Sequence, residues 1–203
     1  MRVTVAMDSF KGSLSSTEAG NAVKEGILEA YPDAQVYVCP MADGGEGTVN
    51  ALTEGLGGAF RSVTVTGPVG RPVISTYGMI GDMDTAVIEV SSACGITKVP
   101  DGHKDILHST TYGVGETILD AIHNGCRNFI IGLGGSATND CGIGMLNALG
   151  FVFTDEYGNE VTPDPMGLST VRHISADKAV PELKKCCFRV ACDVTNPLYG
   201  ENG

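Results

Sequence analysis

The sequence predicts an α/β protein in which a parallel β-α-β-α opening gives way to an antiparallel meander and then to renewed α/β alternation. Three observations carry this reading. Short apolar runs at residues 2–7 and 36–39 flank a helical pattern, and the stretch 61–90 alternates as strands with no room for a crossover helix. From residue 109 helix-like and strand-like segments alternate again.

Arg2-Val3-Thr4-Val5-Ala6-Met7 suits a buried strand. Ser15-x-x-Glu18 is a capping box, and it opens a helix with Ala19, Ala22, Val23, Gly26, Ile27 and Ala30 on one face. Pro32, lacking an N–H, ends it. Val36-Tyr37-Val38-Cys39 gives the second strand, and a short helix carrying Val49 and Leu52 stops at Gly55, Gly57 and Gly58.

Gly67-Pro68-Val69-Gly70 and Gly81-Asp82-Met83-Asp84 punctuate the meander. Beyond it come a helix over 111–123, a strand over 128–133 and a helix over 142–149. A hairpin is expected over 151–161 around Tyr157-Gly158-Asn159, and a last buried strand over 188–194. No covering helix follows Asn196-Pro197-Leu198-Tyr199-Gly200 before Gly203, so either the terminus is a loop edge or the chain is incomplete.

The 203 residues are 42% hydrophobic and 18% charged, the composition of a globular protein with a real core. A formal charge of −11 opposes polyanionic partners, and Lys184-Lys185 is the longest basic run, which excludes nucleic acid and anionic membranes. A phosphate ligand would then be held by backbone amides, a few chosen cations and Mg²⁺. No stretch approaches the ~20 apolar residues of a membrane span, and residues 1–6 are too short an apolar run for a secretory signal. The expected location is cytoplasmic. Seven cysteines, at 39, 94, 126, 141, 186, 187 and 192, show no C-x-x-C spacing and are expected to be buried small hydrophobes in a reducing compartment.

Three polar, glycine-bearing segments fall at element junctions, where open α/β sheets bind their ligands: 8–14, 41–48 and 132–144. Asp8-Ser9-Phe10-Lys11-Gly12-Ser13-Leu14 places a carboxylate, hydroxyls and an ammonium between the first strand and first helix; a surface ion pair beside a capped helix is the plainer reading. Asp43-Gly44-Gly45-Glu46-Gly47 suits a ligand loop or simply a turn and helix cap. Gly132-Leu133-Gly134-Gly135-Ser136-Ala137-Thr138-Asn139-Asp140 follows a strand and precedes a helix, so its amides are placed to form an anion nest. It also meets a loose dinucleotide fingerprint, Gly132-x-Gly134-x-x-Ala137, with Asp155 roughly 20 residues on.

Several designs are excluded. No G-x-x-x-x-G-K-[ST] string or protein-kinase signature occurs, and the elbow G-x-S-x-G fails because Thr138 stands where its last glycine belongs. His103, His108, His123 and His173 suggest no triad, and Arg61, Arg71 and Lys104 read as solvated cations or as contacts to a substrate carboxylate. Asp193 ends an otherwise apolar strand, and an unpaired buried carboxylate is costly, so it should face a cleft, a cation or donors.

Taken together, these segments resemble the bacterial glycerate kinase family. The strings are Asp8 to Leu14, Pro40-Met41-Ala42-Asp43-Gly44-Gly45-Glu46-Gly47-Thr48, Val65-Thr66-Gly67-Pro68, Thr110-Thr111-Tyr112-Gly113, Gly134 to Asp140, and Ala191-Cys192-Asp193-Val194-x-Asn196-Pro197-Leu198. Their order and spacing run the length of the chain. Family members continue well past the last string, and Cys141 stands where a small residue, often Gly, is expected.

The resemblance implies two α/β domains around a cleft: a Rossmann-like parallel-sheet domain beginning at residues 1–60, and an inserted domain with a mixed or antiparallel sheet over 61–203. It implies a phosphotransferase acting on ATP and D-glycerate, with the 2-hydroxyl favoured and Mg²⁺ assisting. In that scheme Lys11 stabilises charge, and Asp8 and Asp193 are rival general bases. Ser9, Gly12, Ser13, Gly44, Gly45, Gly134, Gly135, Ser136, Thr138, Asn139 and Asp140 bind substrate or phosphate, and Asp43 and Glu46 hold the metal. Glycerate is the expected partner, and a homo-oligomer is compatible with the reading. The alternatives are a non-catalytic module for phosphate or sugar acids and a nicotinamide-dependent oxidoreductase.

Overall fold

A computed structural model describes residues 1–203 except 11, 12, 43, 46, 103, 104, 193, 194, 196, 198, 199, 202 and 203. Its chain order begins β1 (Arg2–Met7), α1 (Ser16–Ala30), β2 (Gln35–Pro40) and α2 (Thr48–Gly55). The capping box forms as read: Ser15 Oγ accepts the Glu18 amide at 3.2 Å, and the Glu18 carboxylate accepts the Ser15 amide at 2.8 Å. The Ser15 amide and then the Ser15 hydroxyl, which also donates to that carboxylate at 2.8 Å, hold the Glu18 carboxyl below its ordinary range. β1 and β2 pair in parallel, Arg2 with Gln35 through Met7 with Pro40.

The apolar face of α1 differs from the expected one. Ser16, Ala19 and Gly20 are buried, while Ala22, Val23, Gly26 and Ala30 are exposed. The cause is close packing at Gly20, where an added β-carbon would overlap the Val38 side chain, so the helix turns its smallest residues to β2.

The meander is β3 (Ala59–Thr66), β4 (Pro72–Ile80) and β5 (Thr85–Glu89), each antiparallel to its neighbour. The second turn puts Asp82 and Met83 at φ 54° and 67°, the twist that two-residue hairpin loops require. α3 (Val90–Cys94) and α4 (Tyr112–His123) then lead to β6 (Asn128–Gly132). After α5 (Ile143–Ala148), β7 (Val152–Thr154), α6 (Pro165–Leu168) and β8 (His173–Ser175) comes β9 (Cys187–Ala191). The main sheet has the order β3-β4-β5-β6-β9, with β5, β6 and β9 parallel. The fold is therefore mixed α/β, built on a parallel pair, a mixed five-stranded sheet and a small antiparallel pair.

The principal core joins that sheet to α3 and α4 through Tyr77, Ile88, Val114, Ile118 and Phe129. A second cluster packs Val49 of α2 on Ile80 and Val87, so α2 lies on the main sheet as well as beside β2. This packing brings the first two loops to the sheet.

Two local expectations change. The turn at 155–159 is present, with Asp155 Oδ1 accepting the amides of Tyr157 and Asn159 at 2.9 Å each, but β7 takes β8 as its strand partner. The second arm meets β7 in the Thr154–Glu160 bridge, with the Val161 amide donating to the Phe153 carbonyl at 3.0 Å, while β8 pairs with all three residues of β7. All seven cysteines are free, yet only Cys94 and Cys126 are buried; Cys39, Cys141, Cys187 and Cys192 are exposed. Small apolar character did not decide their burial, since Cys39 and Cys187 sit on strands with little covering them.

Candidate functional site

The C-terminal ends of the parallel strands face one cleft of about 850 Å³. At the first strand pair, Ser16 Oγ donates to the Met7 carbonyl at 2.6 Å and accepts the Met41 amide at 3.0 Å, fastening the exits of β1 and β2 together. Beyond Met7, Asp8 Oδ1 accepts the Ser9 amide at 2.6 Å. The chain then folds back on itself, the Phe10 amide donating to the Leu14 carbonyl at 2.9 Å.

Glycine brings the second loop to the third. Gly44 has φ 95°, and a β-carbon on it would stand 2.8 Å from the Ala191 carbonyl oxygen. A β-carbon on Gly132 would stand 2.6 Å from the Gly44 oxygen, and one on Gly134 2.5 Å from the Gly45 α-carbon. Backbone therefore rests on backbone here, which side chains would prevent. The third loop is braced from behind: Ile96 N–H donates to the Gly135 carbonyl at 3.0 Å and Ala137 N–H to the Cys94 carbonyl at 2.9 Å.

Of the residues anticipated for the site, Asp8, Ser9, Ser13, Gly44, Gly45, Gly134 and Gly135 line this cleft. Lys11, Gly12, Asp43, Glu46 and Asp193 lie outside the described residues. Ser136 is exposed and bridges Gly95, while Thr138 Oγ1 lies 3.8 Å from Cys94 Sγ. Burial pushes the Cys94 thiol up to about 12, against the opposing hydrogen bond from Thr138. Asn139 borders a separate shallow depression with Cys141 and Pro165.

Asp140 has a different setting from the one anticipated. It is 1% exposed and does not reach the cleft lining. Its Oδ2 accepts the Thr111 amide and hydroxyl at 2.8 Å each and the Gly144 amide at 3.2 Å, and its Oδ1 accepts the Gly142 amide at 3.1 Å. One carboxylate thus joins the starts of α4 and α5. The next residue, Cys141, takes a left-handed φ of 51°, which explains why glycine suits that position.

The dinucleotide fingerprint does not acquire its structural context. α5 begins only at Ile143, so no helix opens at Ala137, and Asp155 is engaged in its own turn. The amides at the start of α5 are engaged within the protein, Asp140 accepting those of Gly142 and Gly144.

Glu89, Ser92, Thr76, Asn50 and Glu54 also line the cleft, and the motif reading did not single them out. Ser92 Oγ accepts the Thr76 amide at 2.8 Å and returns a bond to its carbonyl at 3.0 Å. Position at the exit of a parallel strand was the available signal for Glu89. Among the described residues, Arg61 pairs with Asp120 at 2.8 Å and His108 with Asp105 at 2.8 Å on the surface, whereas His103 and Lys104 lie outside the described residues.

Among the described residues no group of three or more His, Cys, Asp or Glu side chains is gathered to hold a metal, and no helix is long and apolar enough to cross a membrane.

The profile of the glycerate kinase family matches residues 3–203. The chain is 48% identical over 203 residues to glycerate 2-kinase of Escherichia coli (strain K12), covering 100% of this chain and 53% of that protein. It is 44% identical to glycerate kinase of Bacillus subtilis (strain 168), again over 100% of this chain and 53% of the relative. A crystal structure assigned to a glycerate kinase 2 from Salmonella typhimurium LT2 matches with a TM-score of 0.91 at 44% identity, over 100% of this chain and 55% of that one. The chain spans about half the length of the curated relatives it matches.

Proposed function

The chain belongs to the glycerate kinase family, and on that premise we propose that its protein transfers the γ-phosphoryl group of ATP to D-glycerate. The observation that carries the proposal is the convergence of Asp8 and Ser9, Gly44 and Gly45, and Gly134 and Gly135 on one cleft. Its volume of about 850 Å³ is in the range of small-molecule and cofactor sites, and its glycine walls let a ligand approach the backbone. The division anticipated after residue 60 falls inside β3, so we place it just before that strand, between α2 and β3, on the separateness of the β1-β2 pair from the main sheet, with the second domain inserted in the first.

In this reading the glycerate 2-hydroxyl oxygen attacks the γ-phosphorus as the bond to the β,γ-bridging oxygen breaks, releasing ADP and 2-phosphoglycerate. Asp8 or Asp193 accepts the hydroxyl proton. Lys11 offsets phosphate charge, and the backbone at Gly134 and Gly135 cradles the phosphates together with the hydroxyls of Ser9 and Ser13. Mg²⁺ commonly takes only one or two protein carboxylates, the remaining positions going to phosphate and water. Asp43 and Glu46 would supply those carboxylates, and the ion would neutralise the phosphate oxygens.

The test is ADP release by the full-length protein with D-glycerate, with the product assigned by phosphorus NMR. A 2-phosphoglycerate signal is expected. A 3-phosphoglycerate signal would overturn the choice of hydroxyl, and glycerate binding without ADP release would favour the non-catalytic binding module.

A further inference from the structure

α2 starts without a cap of its own. Its preceding residue, Gly47, has φ 96° and no side chain to offer the first amides. The acceptor arrives from forty residues away: Glu89 Oε1 takes the Val49 N–H at 2.8 Å. Glu89 is the last residue of β5, in register with Gly132, which in turn pairs with Ala191. It thus stands at the exits of the three parallel strands and lines the cleft. A carboxylate oxygen there also complements the partial positive charge of the helix start.

The helix that Glu89 holds follows directly on residues 41–47, the loop whose Gly44 and Gly45 rest on Ala191, Gly132 and Gly134. Those close approaches are chiefly backbone against backbone. The Glu89 bond is directional and anchors one end of the loop to the sheet that carries the third loop. Ser16 anchors the other end through the Met41 amide.

We propose that Glu89 is a positioning residue for the phosphoryl-transfer site, capping α2 and so holding the 41–47 loop in register with Gly132 and Gly134. The proposal deepens, and rests on, the kinase reading above. What it requires of residue 89 is an acceptor oxygen at this place, and a negative charge is not needed for that.

The test compares Glu89→Gln with Glu89→Ala in the full-length protein, using hydrogen exchange over residues 47–52 and steady-state kinetics. Glu89→Ala should lose protection at the start of α2 at least about tenfold and lose about 10- to 100-fold in kcat/KM, since small misplacements of a catalytic loop are costly. Glu89→Gln keeps a carbonyl oxygen for Val49 and should stay within about threefold of wild type in both readouts. Unchanged exchange in Glu89→Ala overturns the cap. Glu89→Gln as impaired in turnover as Glu89→Ala, with protection kept, overturns positioning in favour of a charge acting directly on the reaction. Should Glu89→Ala not fold, loss of protection in folded Glu89→Gln overturns the proposal and retention supports it. If wild type itself releases no ADP with D-glycerate, the kinase reading fails while the exchange comparison still decides the cap.

Discussion

The carbonyl oxygen of Gly44 lies against the α-carbon of Gly132, so close that a β-carbon on Gly132 would stand 2.6 Å away. Because both partners are backbone, neither can swing aside as a side-chain tip would. Gly132→Ala should therefore cost about 1–3 kcal/mol, as overpacking does elsewhere, read as a lower urea midpoint. An unchanged midpoint would mean the loops separate readily.

Two exchanges should act in the opposite direction. Gly26 lies inside α1, where an added β-carbon would meet nothing within 4 Å, so Gly26→Ala should stabilise by about 0.5–1 kcal/mol through helix propensity. Cys141 sits at φ 51°, and Cys141→Gly should relieve about 1 kcal/mol of left-handed strain. Thermal melts of each variant check both signs.

Asp140 accepts three amides and a hydroxyl while 1% exposed. Asp140→Ala strands these buried donors, and at about 1–3 kcal/mol for each unsatisfied group the loss should exceed roughly 3 kcal/mol. Faster hydrogen exchange should appear at the starts of both α4 and α5. Exchange confined to one helix would remove the bridging role.

Arg61, Tyr77 and Asp120 give a pH signature. Burial by itself would raise the Asp120 carboxyl, but hydrogen bonds from Arg61 and Tyr77 and the guanidinium charge hold it below the usual carboxylate range. Burial also pushes the Tyr77 hydroxyl up, so it remains a donor to Asp120, at 2.7 Å. A depressed folded pKa adds stability above the unfolded value of about 3.9 and loses it as pH falls through the folded value. The melting-temperature gap between wild type and Asp120→Asn should be full near neutrality and shrink below about pH 4. A gap independent of pH would show that packing alone is at stake.

The two candidate bases are separable. In the full-length protein, the true base changed to Asn should lose about 10²–10⁴-fold in kcat with KM for glycerate nearly kept, the usual scale of general-base catalysis. Rapid mixing with single-turnover analysis of Asp8→Asn and Asp193→Asn decides between them. Equal, small effects in both would remove each from proton transfer.

Much of the secondary structure was legible because its causes are local. Ser15 and Glu18 are three residues apart and form their capping box from adjacent chain. The meander follows from turn residues between short alternating strands, and the polar strings were readable as sites because they occupy strand exits. Less legible were features in which one surface chooses another. The burial of Gly20 in place of Val23 depends on Val38, and the pairing of β7 with β8 reaches past the adjacent hairpin arm. Asp140 carries the side chain of a ligand-binding residue, but Thr111, far off in sequence, makes it a structural bridge.

The sequence by itself determined the α/β class, most element positions, the family and the loops that carry its polar strings. These follow from backbone propensity, capping and residue order, all of which act over a few residues. Only the tertiary structure decided that Gly44 and Gly45 stack on the exits of β6 and β9, that Asp140 turns inward, and that Glu89 caps a helix begun forty residues earlier. Such contacts have no spacing signature, because they are selected by how the helices and sheets pack and by which buried donors then need an acceptor.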